Sequence, residues 1–401
     1  MKHGWETKTI GDVCNLMTGG TPSKAKPEYF GGDIRWLVSG DIHRGEIFDC
    51  EGRITEAGMR NSNAKMLPVN SVMIALNGQG KTRGTVALLR TQATCNQSLV
   101  SIYPRDPGKL LPEFLYANLH GRYQEIRQIT GDSGNDRRGL NMGLIESIAI
   151  PIAPLPEQKR IVGILDEAFD GIATATANAE KNLQNARALF ESHLQSVFEQ
   201  AWKSCPLVSL SELATDIIDG DHLPPPKSVT GIPFITIGNI HKETRRIDFT
   251  DTFMVPHEYF NNLKENRKPK KGDVLYTVTG SFGIPVIVED DRKFCFQRHI
   301  GLIRPKSGTR SSWLYYLLLS PQVFNQANEG ATGTAQKTVS LKALRGLKVP
   351  RASPPQQRSV AATLDALVAE TQRLESIYQQ KLTALEELKK SLLHQAFSGQ
   401  L

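Results

Sequence analysis

The chain repeats itself at a spacing of about 200 residues, and this repeat restricts the possible folds more than any other feature. The run from Ile34 through Trp36 and Gly40 to His43 matches the run from Ile232 through Phe234 and Gly238 to His241, an offset of 198. Asn70-Ser-Val72 matches Gly272-Asp-Val274 at 202, and Cys95-Asn-Gln97 is paired with Cys295-Phe-Gln297 at 200. Leu155-Pro156-Glu-Gln158 matches Pro354-Pro355-Gln-Gln357, and Leu165-Asp166 meets Leu364-Asp365, both at 199. Five blocks in one order with nearly constant offset define a tandem duplication, so whatever 401 residues build, they build twice.

Each copy has a mixed part and a helical part. Short apolar runs rich in β-branched residues, bounded by Gly, Pro and Asn, predict strands at 72–76, 85–89, 99–103, 234–237, 274–278 and 285–288. Short helices are predicted at 111–120 and 313–319. From 157 to 201 there is no Pro, and apolar or small residues recur every three or four positions from Ile161 through Leu165, Ala179 and Leu194 to Val197. The second copy carries the same stripe from Leu364 through Leu374, Leu382 and Leu392 to Ala396. A helix of that length extends about 60 Å at 1.5 Å per residue. Its apolar face needs a cover, and the equivalent helix is the natural one. The predicted fold is α+β: two similar globular domains separated by a long antiparallel helix pair, related by a pseudo-twofold axis. The boundaries are 1–155 and 204–354 for the domains, 156–203 and 355–401 for the helices.

The composition, with 39% hydrophobic and 22% charged residues, is that of a folded chain and excludes a disordered or collagen-like one. No 18-residue apolar stretch spans a membrane, and the first residues have no signal-like apolar core. Five scattered Cys without a C-x-x-C pair point to a reducing cytoplasm and against a zinc site. The net charge of +7 is unevenly spread: +3 in 1–156, −2 in 157–203, +6 in 204–356 and zero in 357–401. Positive mixed domains and neutral or acidic helices fit domains that meet phosphate and helices that meet protein.

Polar, Gly-flanked loops follow the predicted strands and differ between the copies. Their side chains are of the kinds that contact phosphates and base edges. The candidate DNA-binding residues in the first copy are Asn77, Gln79, Lys81, Thr82, Arg83, Ser133, Asn135, Arg137 and Arg138. In the second they are His241, Lys242, Ser281, Phe282, Arg298, Thr334, Gln336 and Lys337. The stretch from Ala75 to Thr82 resembles a relaxed phosphate-binding loop, but the residues after it read as a strand where such a loop needs a helix. No methyltransferase tetrapeptide, G-x-S-x-G or H-E-x-x-H is present, and the matched His43 and His241 read as structural. The chain reads as non-catalytic.

The helix starts at 155–161 and 354–360, the ending from Ser391 to Leu401 and the Gly-Thr-Ala-Gln-Lys337 stretch resemble the DNA-specificity subunit of type I restriction–modification enzymes. The resemblance covers essentially the whole chain, although the first copy lacks the Gly-Thr-Ala-Gln-Lys form at 133–138. It implies two target recognition domains, each reading half of a split, asymmetric site in double-stranded DNA. The helix pair would act as a ruler between half-sites about one duplex turn apart, ~34 Å. It further implies docking of two methyltransferase subunits, for which Gln158, Arg160, Gln357 and Arg358 are the candidate contacts, and of restriction subunits. No cofactor is expected in this chain; S-adenosylmethionine would sit in the methyltransferase, and ATP and Mg in the restriction subunit. Two other readings remain: a coiled-coil adaptor that binds only protein, and a fragment of a bifunctional restriction–modification enzyme.

Overall fold

The computed structural model describes residues 4–78, 80–129, 139–333 and 336–401. They form two compact units, Met1–Ala179 with Gln380–Leu401, and Glu180–Gln379. Two long helices, Leu155–Ser204 and Pro354–Ser398, each contribute one part to each unit. Each helix begins within two residues of a Pro and runs without interruption, as its unbroken apolar stripe requires.

Each mixed domain is built around two main sheets, with smaller two-stranded pairings beside them. In the first unit, five strands run in the order Cys14–Thr18, Leu99–Pro104, Val72–Ala75, Val86–Leu89, Glu46–Ile47. In the second, four run in the order Ala214–Asp219, Ile300–Pro305, Val274–Thr277, Pro285–Ile287. The strands Val72–Ala75, Val86–Leu89 and Val274–Thr277 are buried along their whole length, which is why they read as continuous apolar runs without alternation. The second sheet is three-stranded in both units. Its middle strand, Phe30–Leu37 or Ile232–Ile235, pairs antiparallel on one side and parallel on the other. Matching caps open the first short helix of each domain, with Asp12 accepting from the Thr9 backbone at 2.9 Å and Glu212 from that of Ser209 at 3.0 Å. Among the described residues the fifth strand of the first unit has no counterpart. The segment that would supply it closes on itself instead, with His241 N–H donating to Arg246 O at 3.1 Å and Arg245 at φ +51.

The hydrogen bonds correct one expected equivalence. Asn96 N–H donates to Leu37 O and Gln297 N–H to Ile235 O, both at 2.9 Å, so Asn96 corresponds to Gln297 and the local offset is 201. Cys95 therefore matches Phe296, one residue later than the sequence blocks place it. Two glycines fix this register. A Cβ on Gly19 would lie 1.7 Å from Cys95 O, and one on Gly220 would lie 1.9 Å from Phe296 O.

The long helices complete both cores. In the first unit Ile161 and Leu165 are buried with Leu393 and Ala396, Phe114 meets Phe397 edge-on at 5.1 Å, and Lys389 lies 5.0 Å over the Phe169 ring. In the second, Phe198 meets Trp313 at 5.1 Å, the Tyr316 hydroxyl donates to Asp365 at 2.6 Å, and Arg187 reaches Glu375 at 3.3 Å. Full burial of a side chain such as Phe198 contributes roughly 2 kcal/mol, so these contacts are substantial.

Gln158 and Gln357, expected at a subunit interface, are instead internal. Gln158 is 0% exposed; its Oε1 accepts from Leu111 N–H at 2.9 Å, and its Nε2 donates to Lys109 O and Ala153 O, each at 2.7 Å. Gln357 makes the same three bonds to Arg310 N–H, Gly308 O and Ala352 O at 2.8, 3.1 and 2.9 Å. Neither amide has an atom left for a partner. Each latches a long helix to the domain before it by satisfying backbone groups that no regular element pairs. Gln158→Ala leaves three such groups unmet and costs on the order of 3 kcal/mol. Urea denaturation should show that loss, while Lys159→Ala, one residue away and exposed, should leave the midpoint unchanged.

Candidate nucleic-acid interface

Strand pairing gathers most of the described candidate residues at one end of each sheet. In the first unit Thr18 lies opposite Val100, and Ala75 lies opposite Leu99. The loops at 19–26, 76–85 and 96–98 therefore leave the sheet together, and Leu76 N–H donates to Ser98 O at 2.9 Å to join two of them. In the second unit Asp219 lies opposite Gly301 and Thr277 opposite Ile300, with Val278 N–H donating to His299 O at 2.9 Å. A strap then crosses the same end of each domain. Leu140 N–H donates to Leu76 O at 2.9 Å, and Val339 N–H to Val278 O at 2.8 Å.

The first unit presents Asn77, Lys81 and Thr82 here. Thr85 Oγ1 donates to Lys81 O at 2.6 Å and the Tyr123 hydroxyl donates to the same oxygen at 2.9 Å. Arg127 donates to Gly80 O at 2.5 Å and to the Tyr123 hydroxyl at 2.8 Å. His43 Nε2 sits 3.1 Å from Thr82 Oγ1, which gives that histidine a structural contact. The loop is thus held by its backbone while the Lys81 side chain stays exposed. Tyr123 and Arg127 escaped the sequence reading because braces of this kind leave no mark in loop composition. Arg83 differs from expectation: only 9% exposed, it lies under the loop and not on its outer face. The next strand, Val86–Leu89, follows at once, so no helix N-terminus faces the glycines and the loop lacks the geometry of a phosphate-binding loop.

In the second unit Gly280 N–H donates to Lys337 O at 3.0 Å, which brings Ser281, Phe282, Gln336 and Lys337 to one place. Phe282 stacks on Phe324 at 5.5 Å and 11°, and Lys337 Nζ donates to Asn328 Oδ1 at 2.8 Å. Arg298 is exposed at the same sheet end, its Nε 3.4 Å from His299 Nε2. Burial, and then the Arg298 charge, lower the His299 pKa, which favours the neutral ring that can accept this bond. His241 and Lys242 are not part of this group. They belong to the closed segment, where His241 lies 3.5 Å from Asp248 and lines a cavity of about 1250 Å³ with Tyr315 and Asp365. Gln79, Ser133, Asn135, Arg137, Arg138 and Thr334 lie outside the described residues.

A second cavity, of about 740 Å³, opens beside the first unit's sheet end between Phe30, Trp36, Val38, Asn96 and Gln97. The sequence reading missed it because the one-residue register error hid the equivalence of Gln97 with Arg298. The offset of 201 between Gly19 and Gly220 is the signal that exposes it.

Residues 2–184 and 202–384 each match the family model described as type I restriction modification DNA specificity domain. The chain belongs to this family. Each of its two copies of the specificity domain takes in one mixed domain and much of the long helix that follows. The chain is 28% identical over 196 residues to the EcoR124I/EcoR124II specificity subunit of Escherichia coli; the match covers 48% of each chain, so it spans about half the length of that relative. Two solved structures share the fold over the whole length. One is a chain from a study of complex assembly and conformational transition in the type I R-M system, with a TM-score of 0.77, 20% identity and coverage of 100% of this chain and 99% of that one. The other is the HsdS subunit of Thermoanaerobacter tengcongensis, with a TM-score of 0.68, 19% identity and coverage of 100% and 98%.

Of the remaining candidates, Arg160 is held by Glu157 at 2.7 Å and donates to Leu401 O at 2.7 Å, while Arg358 is exposed near the start of its helix. Among the described residues no group of His, Cys, Asp and Glu could hold a metal ion, and no helix is long and apolar enough to cross a membrane. Burial pushes the thiols of Cys14, Cys95 and Cys295 up to about 12, which keeps them protonated and poor metal ligands. The bracing of the first loop is open to test. Tyr123→Phe removes one donor and one acceptor, so amide exchange at Gly84 and Thr85 should quicken about fivefold, the equivalent of ~1 kcal/mol. Unchanged protection there would mean the hydroxyl does not hold the loop.

Proposed function

We propose that the chain is the non-catalytic DNA-recognition subunit of a type I restriction–modification system, with each mixed domain reading one half of a split site in double-stranded DNA. One observation carries the reading: two copies of a specificity domain, latched alike to their helices, present unlike polar loops at the same sheet end. A shared scaffold with different letters at its rim is what two readers of two sequences need. The excess positive charge lies in these domains, where phosphate contacts would use it.

The long helices run antiparallel as a spacer between the reading domains. The contacts of Arg160 with Leu401 and of Arg187 with Glu375 support that pairing. Two methyltransferase subunits dock on the helices and adjoining domain surface, and restriction subunits join them; the exposed Arg358 remains a candidate contact. Methyl transfer, with S-adenosylmethionine, then belongs to the partner, which flips an adenine out of each half-site. A cytoplasmic location follows from a DNA substrate.

Methylation sequencing of a host carrying this chain with its methyltransferase should return a bipartite, asymmetric motif; a continuous or palindromic motif would contradict the reading. Lys337→Glu in the assembled complex should weaken DNA binding across all sequences and flatten the slope of log K against log salt by about one. A second test addresses the spacer. Inserting four residues within 173–184 should lengthen the non-specific gap in the motif and leave both half-sites unchanged, whereas an unaltered gap would remove the helices from that role.

A further inference from the structure

The cavity of about 740 Å³ in the first unit combines aromatic walls with two amides whose oxygens are already engaged. Trp36 Nε1–H donates to Gly20 O at 2.9 Å, which holds the indole in place, and Phe30 meets its ring edge-on at 6.0 Å. Asn96 Oδ1 accepts from Ser98 N–H at 3.0 Å; a backbone donor can be met only by the oxygen, which fixes the orientation of the amide. Gln97 Oε1 accepts from Thr21 Oγ1 at 2.6 Å. Both side chains line the cavity with their oxygens engaged by the protein, which leaves their N–H groups as the donors available to a ligand. The pair stands beside the loop that carries Lys81, on the sheet end where the candidate contacts gather.

We propose that this cavity is a base-reading pocket of the first domain, in which Asn96 and Gln97 donate to O6 and N7 of a guanine; the proposal rests on the DNA-reading function above. The choice of base follows from the chemistry of the major groove. Guanine alone presents two adjacent acceptors. Adenine sets an amino donor beside N7, cytosine offers a donor, and thymine offers one acceptor beside a methyl group. Trp36 and Phe30 form the apolar wall that excludes water from the amide bonds. The second domain follows the same logic with another residue. By the backbone register Arg298 stands where Gln97 stands, since Leu99 N–H donates to Asn96 O at 3.3 Å and Ile300 N–H to Gln297 O at 3.0 Å. A guanidinium too is donor-only. The position equivalent to 97 and 298 is thus a specificity determinant in both domains.

The test replaces donors by acceptors without changing shape. Asn96→Asp keeps the oxygen that Ser98 needs, and Gln97→Glu keeps the one that Thr21 needs. Each variant is co-expressed with the native methyltransferase, and the methylation motif of a plasmid library is sequenced. Methylation at the native motif should fall at least tenfold in both, with the guanine requirement lost at one position of one half-site and the other half intact. Arg298→Glu should act on that other half alone. Wild-type methylation of the native motif by both variants, or a first half-site without guanine, overturns the proposal. Should both acidic variants lose methylation altogether, Gln97→Ala at this exposed position decides between an altered single base and an unaltered motif, the second being refutation. A wild-type complex without a bipartite motif would instead reject the function on which the pocket depends, so the two failures are distinct.

Discussion

The junction between each mixed domain and its long helix depends on a single glutamine. Where the chain passes from domain to helix, two carbonyls and one amide are left without partners in any strand or helix, and an amide side chain is the smallest group that meets all three. Gln158 does this in one unit and Gln357 in the other, with every partner displaced by the same 199 residues. Because these bonds are buried, losing them exposes nothing to water that could compensate. The latch fixes where the helix leaves its domain, and so which helical face closes the core around Phe114 in one unit and Trp313 in the other.

At the opposite functional extreme lie the loops at the sheet ends. They are attached through backbone groups: Leu76 to Ser98 and Leu140, Val278 to His299 and Val339. Side chains there carry little of the fold, so they can change without altering it. The span from Ala75 to Gly84 in the first copy is three residues longer than the span from Thr277 to Gly283 in the second, yet both close with a bond from the glycine N–H, at 2.9 and 3.0 Å. Tolerance of this kind suits the proposed reading, in which each copy meets a different target.

The sequence made the duplication, the buried strands and the long helices legible because each rests on a pattern several residues long. Val72–Ala75 is a run of apolar residues buried on both faces, and the helical stripes persist for more than 30 positions. What escaped depends on single atoms. Gln158 and Gln357 look like surface polar residues in any string, and only the backbone groups facing them make them internal. His241 matches His43 in sequence, yet one meets Asp248 in a closed segment and the other Thr82 in a loop, because among the described residues the second unit has no fifth strand. The one-residue shift at Cys95 arose from aligning identical letters where the bonds align Cys95 with Phe296.

Net charge illustrates why location outweighs total. The second mixed domain carries twice the excess of the first, +6 against +3, which read alone would make it the stronger phosphate binder. Ion pairs take up cations and anions in equal number, so they leave that excess unchanged and decide only which cations are engaged. Arg304 is paired with Asp273 and Asp216, Arg267 with Asp221, and Lys268 with Glu265, while in the first domain Arg90 lies between Glu46 and Glu113 and Arg53 meets Asp49. A cation held in such a pair is neutralised and anchored, and releases few counterions when DNA approaches. Lys81, Arg298 and Lys337 form no ion pair among the described residues, and all three stand exposed at the sheet ends. Exposed cations without an ion pair among the described residues thus stand at both sheet ends, Lys24 and Lys81 in the first domain and Arg298 and Lys337 in the second, and on the proposed reading these are the ones that would meet phosphate.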